Sequence, residues 1–266
     1  MSDQGFLFGN PDVVEDHLAL TQLRLLALNM QSPGIERATN QLAWLYPTGR
    51  NVLVLTEIKI GDGSAHLIKD LESSGYAVTR PPTTATDRYV TLVASKGFPA
   101  ELTALSFASS RLTAARLITH LGPLDIIGLY SLTNGMSQDS SRDRSAYQQS
   151  VIAALRTRIE TEPGIPILVT GDLNVLADEP APARPLFADH DFAFYNALRD
   201  LGLTDAYRHA QPEGIDQTWY GPQGGQRLDH AFLSSALVPH LTECTINHDT
   251  RSQRISDHSG LQLTLA

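Results

Sequence analysis

Residues Pro166-Ile167-Leu168-Val169-Thr170-Gly171-Asp172-Leu173-Asn174-Val175 decide how the chain is read. A run of apolar residues, opened by a proline and closed by a glycine, has the pattern of a strand buried on both faces. The chain is expected to turn at Gly171 and to present Asp172 and Asn174 at the strand end. Residues two apart in extended backbone point to the same side. A carboxylate and an amide held together there suit the activation of water beside an anion. The same residues also fit a plain strand followed by an Asx-type turn. The recurrence of acids and amides at other strand ends favours chemistry.

The chain has 266 residues, 42% of them hydrophobic, enough to bury a large core. No Pro/Gly/Ser-rich linker, charge run or internal repeat marks a boundary. An N-terminal arm over 1–20 and a single domain over 21–266 are therefore expected. No apolar run approaches the ~20 residues that span a bilayer. Met1-Ser2-Asp3-Gln4 lacks the basic-then-apolar pattern of a secretory signal. The one cysteine, Cys244, excludes an intramolecular disulfide and suits a reducing compartment. A cytoplasmic protein with no membrane partner is expected. The formal net charge of −9 weighs against coating of nucleic acid by charge alone. Part of that excess can sit in one metal-binding cluster, offset there by Mg²⁺.

The pattern along the chain starts strand, helix, strand, helix. Leu23–Leu28 delivers Asn29 and Gln31, and Ser32-Pro33 has the form of a helix start. Ile35, Ala38, Leu42 and Leu45 then form one helical face. Asn51–Thr56 ends at Glu57, with Lys59 close behind, and a helix from about Ser64 stops at Gly75. Short β-like runs follow at 76–79, 89–95, 102–107, 115–120 and 125–130, as in an antiparallel meander, the last ending at Tyr130. A helix carrying Tyr147, Val151, Leu155 and Ile159 leads into the Pro166 strand. Beyond it come an irregular loop at Asp178–Pro182, a helix near 192–201 and a short run at 204–208. Gln217-Thr218-Trp219-Tyr220 then heads a Gly-rich turn, and strands follow at 227–233, 242–248 and 260–265. Two facing mixed sheets with helices outside, a four-layer α/β sandwich, account for this order.

The polar residues at strand ends are Asn29, Glu57, Tyr130, Asp172, Asn174, Asp229 and His258, with Asp257 beside the last. Carboxylates gathered on one edge repel each other unless a divalent cation sits among them. Metal, a proton acceptor for water and donors for developing charge are what phosphoryl transfer requires. Cys/His clusters with zinc spacing are missing, Gly221, Gly224 and Gly225 make no nucleotide-binding loop, and there is no Gly-x-Ser-x-Gly elbow.

The pieces Leu28-Asn29, Leu55-Thr56-Glu57-Ile58-Lys59, Gly171-Asp172-Leu173-Asn174, Arg227-Leu228-Asp229-His230 and Ser256-Asp257-His258 occur in the order seen in the endonuclease/exonuclease/phosphatase superfamily. Across residues 24–265 the chain most resembles its exonuclease III and abasic-site endonuclease branch. The resemblance implies a phosphodiesterase dependent on Mg²⁺ or Mn²⁺. Glu57 would be the principal metal ligand, with Asn29, Gln31 and Asp257. Asp172 would position or deprotonate the attacking water, Asn174 would hold the phosphate, and His258 would donate to a phosphate oxygen, oriented by Asp229. Tyr130 would touch the phosphate or leaving group. Lys59, Trp219, Tyr220 and Arg227 would contact substrate.

Other branches tend to carry a histidine where Tyr130 stands. Abasic-site enzymes carry a tyrosine in a Tyr-x-Pro-Asn setting, from which Tyr130-Ser131-Leu132-Thr133-Asn134 departs by its missing proline and late asparagine. Trp219 and Tyr220, ahead of the Arg-Leu-Asp strand, resemble the aromatics that hold an extruded abasic sugar; filling core is their other reading. Arg111, Arg116, Arg142 and Arg144 are candidates for a phosphate-tracking strip. Gln4-Gly5-Phe6-Leu7-Phe8 resembles the peptide by which bacterial DNA-processing proteins dock on the sliding clamp, an alternative to an arm packed on its own domain. The expected function is thus a DNA nuclease acting at abasic sites or 3′ ends. The alternatives are a hydrolase of a small phosphodiester, nucleotide or phosphorylated lipid headgroup, and a non-catalytic partner-binding module.

Overall fold

The computed structural model describes residues 20–133, 138–177, 187–222 and 224–266. Gln4, Leu7 and Phe8, Asn134 and the Asp178–Pro182 loop lie outside them. The elements, in chain order, are β1 (Leu23–Asn29), α1 (Ile35–Leu45), β2 (Val52–Lys59), α2 (Asp62–Ser73), β3 (Ala77–Thr79), β4 (Tyr89–Ser95), β5 (Ala100–Leu102), β6 (Leu112–Thr119), β7 (Gly122–Leu129), α3 (Gln138–Thr161) and β8 (Ile167–Asp172). They continue with α4 (Asp189–Asp200), β9 (Leu203–Asp205), α5 (Ala206–Ala210), β10 (Trp219–Gly221), β11 (Gly224–Gln226), β12 (Asp229–Ser234), β13 (Leu241–Asn247), α6 (Asp249–Ser252) and β14 (Gly260–Leu265).

Two six-stranded mixed sheets face each other, one ordered β13-β14-β1-β2-β4-β3 and the other β5-β6-β7-β8-β12-β9. Strand alternation explains why the central strands read as unbroken apolar runs. On β1 and β2, Leu25, Ala27, Val52 and Val54 point into the space between the sheets, where Leu168 and Ile126 meet them. Leu26, Leu28, Leu53 and Leu55 point outward and pack against Ala38, Leu42, Leu67 and Leu71 of α1 and α2. On the second sheet Ile127, Ile167 and Val169 meet Val151, Leu155, Phe194 and Leu198 of α3 and α4. The result is the expected four-layer sandwich. Among the described residues no helix is long and apolar enough to cross a membrane.

Among the described residues only β1–β2 and β7–β8 pair in parallel. Both are joined through a helix, so their carboxyl ends lie on the same edge. β12 and β14 run antiparallel to β8 and β1, which brings their starts to that edge as well. Asp229 is thereby set opposite Asp172 in the β8–β12 register.

Several local expectations are corrected. α1 begins after Gly34 rather than at Ser32, whose hydroxyl donates to Glu57 Oε1 (3.1 Å) instead of capping. Ile35 is exposed, and Gln41 takes an inward place on α1. The meander is divided: β3 and β4 complete the first sheet, whereas β5 to β7 open the second. The run expected at 102–107 is a strand only over Ala100–Leu102. The run at 204–208 is β9 followed by α5, whose first turn is capped where Asp205 accepts from Arg208 N–H (3.1 Å). The Pro166 strand does not turn at Gly171 but continues to Asp172. Gly171 has φ +136°, and a Cβ there would lie 2.3 Å from the Leu129 carbonyl oxygen. Glycine is required because β7 passes so close.

Candidate active site

Asn29, at the end of β1, organises the edge. Its Nδ2 donates to Glu57 Oε2 and to Asp172 Oδ2, both at 2.8 Å, and its Oδ1 accepts the Gln31 N–H at 2.8 Å. Two N–H protons meeting two carboxylates fix the orientation of the amide. The Asn29 main-chain carbonyl is held by Ser256 Oγ (2.6 Å), which also accepts the His258 N–H (3.1 Å). The sequence Ser256-Asp257-His258 is therefore clamped to β1 through its serine.

His258 is buried, with Nδ1 2.7 Å from Asp229 Oδ2 and Nε2 turned toward Asn29 Nδ2 (3.5 Å) and Asp172 Oδ2 (4.0 Å). Asp229 is itself set by Thr218, whose Oγ1 accepts the N–H groups of Leu228 (2.9 Å) and Asp229 (3.1 Å). Burial disfavours the charged His258 ring, but the carboxylates of Asp229 and Asp172 outweigh it and lift its pKa to about 10. Burial lifts Asp172 to about 7, Asp229 adds to this, and His258 and the Asn29 amide oppose it. The site thus favours a charged His258 ring and holds the Asp172 carboxyl above the ordinary carboxylate range.

Asp172 Oδ1 accepts the Asn174 N–H at 3.1 Å, an Asx-type turn, while its Oδ2 faces Asn29. Asn174 does not share a face with Asp172 as extended backbone would require; its φ is +52°, and its Nδ2 lies 3.4 Å from the Ser131 carbonyl. Gln31, Ser32, Glu57 and Asn174, all on this rim, are four of the five described non-glycine residues with positive φ. Such backbone costs on the order of 1–3 kcal/mol per residue and persists where the surroundings impose it.

Tyr130 is buried against Arg111, whose guanidinium lies 4.4 Å from its ring centroid and 4.8 Å from that of Tyr89. Burial pushes the Tyr130 phenol far above its ordinary pKa, and Asp172 and Glu57 add to the effect, so it remains a donor. Lys59 is exposed at the end of β2, opposite Tyr89. Trp219 is half-buried, forms a β-bridge with His258 and folds its ring over Gly221. Tyr220 is 51% exposed on the face of the Arg251 guanidinium (3.8 Å) and is not core.

Three expectations fail. Gln31 turns its side chain to Arg37 and not toward Glu57. Arg227 is buried in a pair with Asp205 (2.8 Å), away from any surface where it could meet substrate. The arginine strip is dispersed: Arg116 pairs with Asp125 (2.8 Å) and Glu162 (2.7 Å), Arg142 with Asp139 and buried Arg144 with Asp191. Of the four, Arg111 alone lies beside Tyr130. Thr218, Ser256 and Ser32 are given no part in the site by sequence, although all three lie inside pieces quoted above. Ser and Thr at such sites are common turn residues, and nothing local marks these as holding the site.

The Endonuclease/Exonuclease/phosphatase family pattern matches residues 10–258. The chain belongs to this family. Within it, the chain is 28% identical over 193 residues to exodeoxyribonuclease III of Haemophilus influenzae, covering 64% of this chain and 70% of that protein. The fold is shared with the 3′ phosphatase NExo from Neisseria bound to a product DNA hairpin (TM-score 0.76, 18% identity, 92% of this chain and 99% of that one). It is also shared with an AP endonuclease from Archaeoglobus fulgidus (TM-score 0.76, 20% identity, 91% and 99%). The edge carrying Asn29, Glu57, Asp172, Asp229 and His258 is the candidate active site of this endonuclease/exonuclease/phosphatase member.

Proposed function

We propose that the chain is a divalent-metal-dependent phosphodiesterase that cleaves DNA, at abasic sites or from 3′ ends, in the cytoplasm. The observation that carries this reading is the buried His258, held on Asp229 through Nδ1 and presenting Nε2 to Asp172. An imidazole held by one carboxylate and facing a second suits a phosphate flanked by an attacking water. The exodeoxyribonuclease III relative supports DNA as substrate.

The residues fit a hard cation. Oδ1 of Asp257 and Oδ1 of Asp229 are buried with no hydrogen-bond partner among the described residues, and Glu57 and Asp172 share one amide. Asp172, Asp229 and His258 place ligand-type atoms within 4.8 Å of one another. His258, however, is engaged by Asp229 through Nδ1 and turns Nε2 toward the Asn29 amide and Asp172. This favours Glu57, Asn29 and Asp257 as the group that would hold Mg²⁺, or Mn²⁺ in its place, and gives His258 to the phosphate. When bound, the cation supplies polarisation of a phosphoryl oxygen.

Asp172 takes the proton of the attacking water as the new P–O bond forms and the bond to the leaving oxygen breaks. His258 donates through Nε2 to a non-bridging oxygen, and Asp229 keeps the ring charged and oriented. Asn174 and Tyr130 donate to the phosphate or leaving oxygen, and Arg111 offers charge beside them. Lys59, Trp219 and Tyr220 would contact the strand, a reading supported by the β-bridge that ties Trp219 to His258. Docking on a sliding clamp through Gln4, Leu7 and Phe8 rests on the peptide pattern alone.

The test uses end-labelled duplexes, one intact and one with a single abasic site, beside a chromogenic small phosphodiester. Incision at the abasic site or shortening from 3′ ends, each requiring Mg²⁺, supports the reading. Hydrolysis of the small ester alone replaces DNA as substrate, and turnover of none leaves a binding module.

A further inference from the structure

The residue after Asp229 faces away from the site. His230 is fully buried behind it, its ring edge-on to Tyr195 (5.4 Å between centroids) and tilted against Phe232 (6.1 Å). Its two nitrogens meet unlike neighbours: Nδ1 lies 3.1 Å from Arg227 Nη1, and Nε2 lies 2.9 Å from the Val175 carbonyl oxygen. A guanidinium has donors only. Nδ1 must therefore accept, the ring proton stands on Nε2, and Nε2 donates to Val175. Arg227 is fixed in turn by Asp205 (2.8 Å), which also accepts the Tyr195 hydroxyl (2.7 Å). The tautomer of His230 is thus written into the sequence through Arg227 and Asp205.

Val175 follows Asn174, the residue held at φ +52°. Upstream, the turn is tied by Leu173 N–H to the Leu228 carbonyl (3.0 Å) and by Asn174 N–H to Asp172. His230 supplies the tie on the downstream side. Leu228, Asp229 and His230 thereby hold three consecutive points of one assembly: the entry to the turn, the partner of His258 and the exit from the turn.

We propose that His230 is a positioning residue, which fixes the Asn174 turn relative to Asp172 by donating to the Val175 carbonyl. The inference rests on the role given to Asn174 above. It explains why a histidine is buried one residue from the catalytic carboxylate without facing the reaction. It also gives Arg227 and Asp205 a function in place of the substrate contact expected of Arg227.

The experiment compares His230→Gln with His230→Asn. A glutamine amide reaches the place of Nε2 and can donate to Val175; an asparagine amide reaches only the place of Nδ1. The asparagine keeps an acceptor beside Arg227 and the glutamine gives it up, so activity kept in His230→Gln assigns the effect to the Val175 bond. On abasic duplex, His230→Gln is expected to keep kcat within about threefold, and His230→Asn to lose about 10- to 30-fold with KM little changed, since small misplacements cost up to ~100-fold. In an Asn174→Ala background the His230→Asn loss should shrink to less than about threefold, because the group being positioned is gone. Equal losses for Gln and Asn, or fully additive losses with Asn174→Ala, overturn the proposal. Amide hydrogen exchange at residues 173–175 provides a readout that needs no activity. Protection should fall in His230→Asn and persist in His230→Gln, and unchanged protection in His230→Asn overturns the proposal. If the wild type cleaves no DNA, the nuclease reading fails and the exchange data still decide the positioning.

Discussion

Replacing Asp229 by asparagine separates the charge of this residue from its shape. The introduced amide oxygen can still accept from His258 Nδ1, so the ring keeps its place. The variant loses the carboxylate that, with Asp172, holds the ring charged against burial. The rise from 6.5 to about 10 amounts to about 5 kcal/mol in favour of the imidazolium, at ~1.4 kcal/mol per tenfold. Asp229 is the largest favourable contribution, and its removal moves the ring back toward 6.5. At about pH 8 a ring with that pKa is charged in about 3% of molecules, while the wild-type ring remains charged. The same substitution lowers Asp172, because Asp229 adds to its upward shift. Both limbs of the pH profile therefore move to lower pH. Single-turnover cleavage of abasic duplex should show a wild-type to variant ratio that grows at least ~20-fold between about pH 6 and pH 8, the histidine limb alone giving about that factor and the Asp172 limb adding to it. A ratio that stays flat over that range would show that Asp229 does not act by keeping His258 charged.

Other perturbations give separable outcomes. Arg227→Met leaves Asp205 buried and unpaired and should cost about 3–5 kcal/mol in urea denaturation, with KM unchanged in the folded fraction. Burial raises the Asp205 pKa, but the Arg227 charge and the hydrogen bond from the Tyr195 hydroxyl oppose it, and the folded value lies below the ordinary 3.8. The stability Asp205 contributes is thus present above pH 3.8 and is lost as pH falls below it, and Arg227→Met should be the less acid-sensitive protein between about pH 5 and pH 3. Glu57→Gln should raise the Mg²⁺ concentration for half-maximal activity by at least ~10-fold and abolish the rise in melting temperature that Mg²⁺ gives the wild type. Arg111→Ala should weaken DNA binding and reduce the slope of log K against log salt by about 1, whatever the DNA sequence.

The layered architecture was legible because strands buried on both faces must be apolar throughout, as in Leu53-Val54-Leu55 and Ile167-Leu168-Val169, and those runs alternate with amphipathic helices. The site edge was legible for the same reason: an acid or amide directly after such a run has few places to go. What the sequence hid was orientation. Arg227 and Asp229 stand two apart and both read as serving the reaction, yet β12 starts only at Asp229, and Arg227 points to Asp205. Gln31 and Asn174 adopt left-handed backbone, so strand periodicity cannot tell where their side chains go. The division of the meander between two sheets depends on long-range pairing that short β-like runs do not encode.

Whether this edge performs metal-dependent cleavage of DNA is decided by the rate on a single-abasic-site duplex, measured for wild-type and Asp172→Asn protein purified identically, with EDTA as control. Cleavage by the wild type is expected with Mg²⁺ and none in EDTA, with a loss of at least ~100-fold in Asp172→Asn while duplex binding is retained. Cleavage by the variant at the wild-type rate, or wild-type cleavage undiminished by EDTA, would contradict the assignment of this edge as the catalytic one.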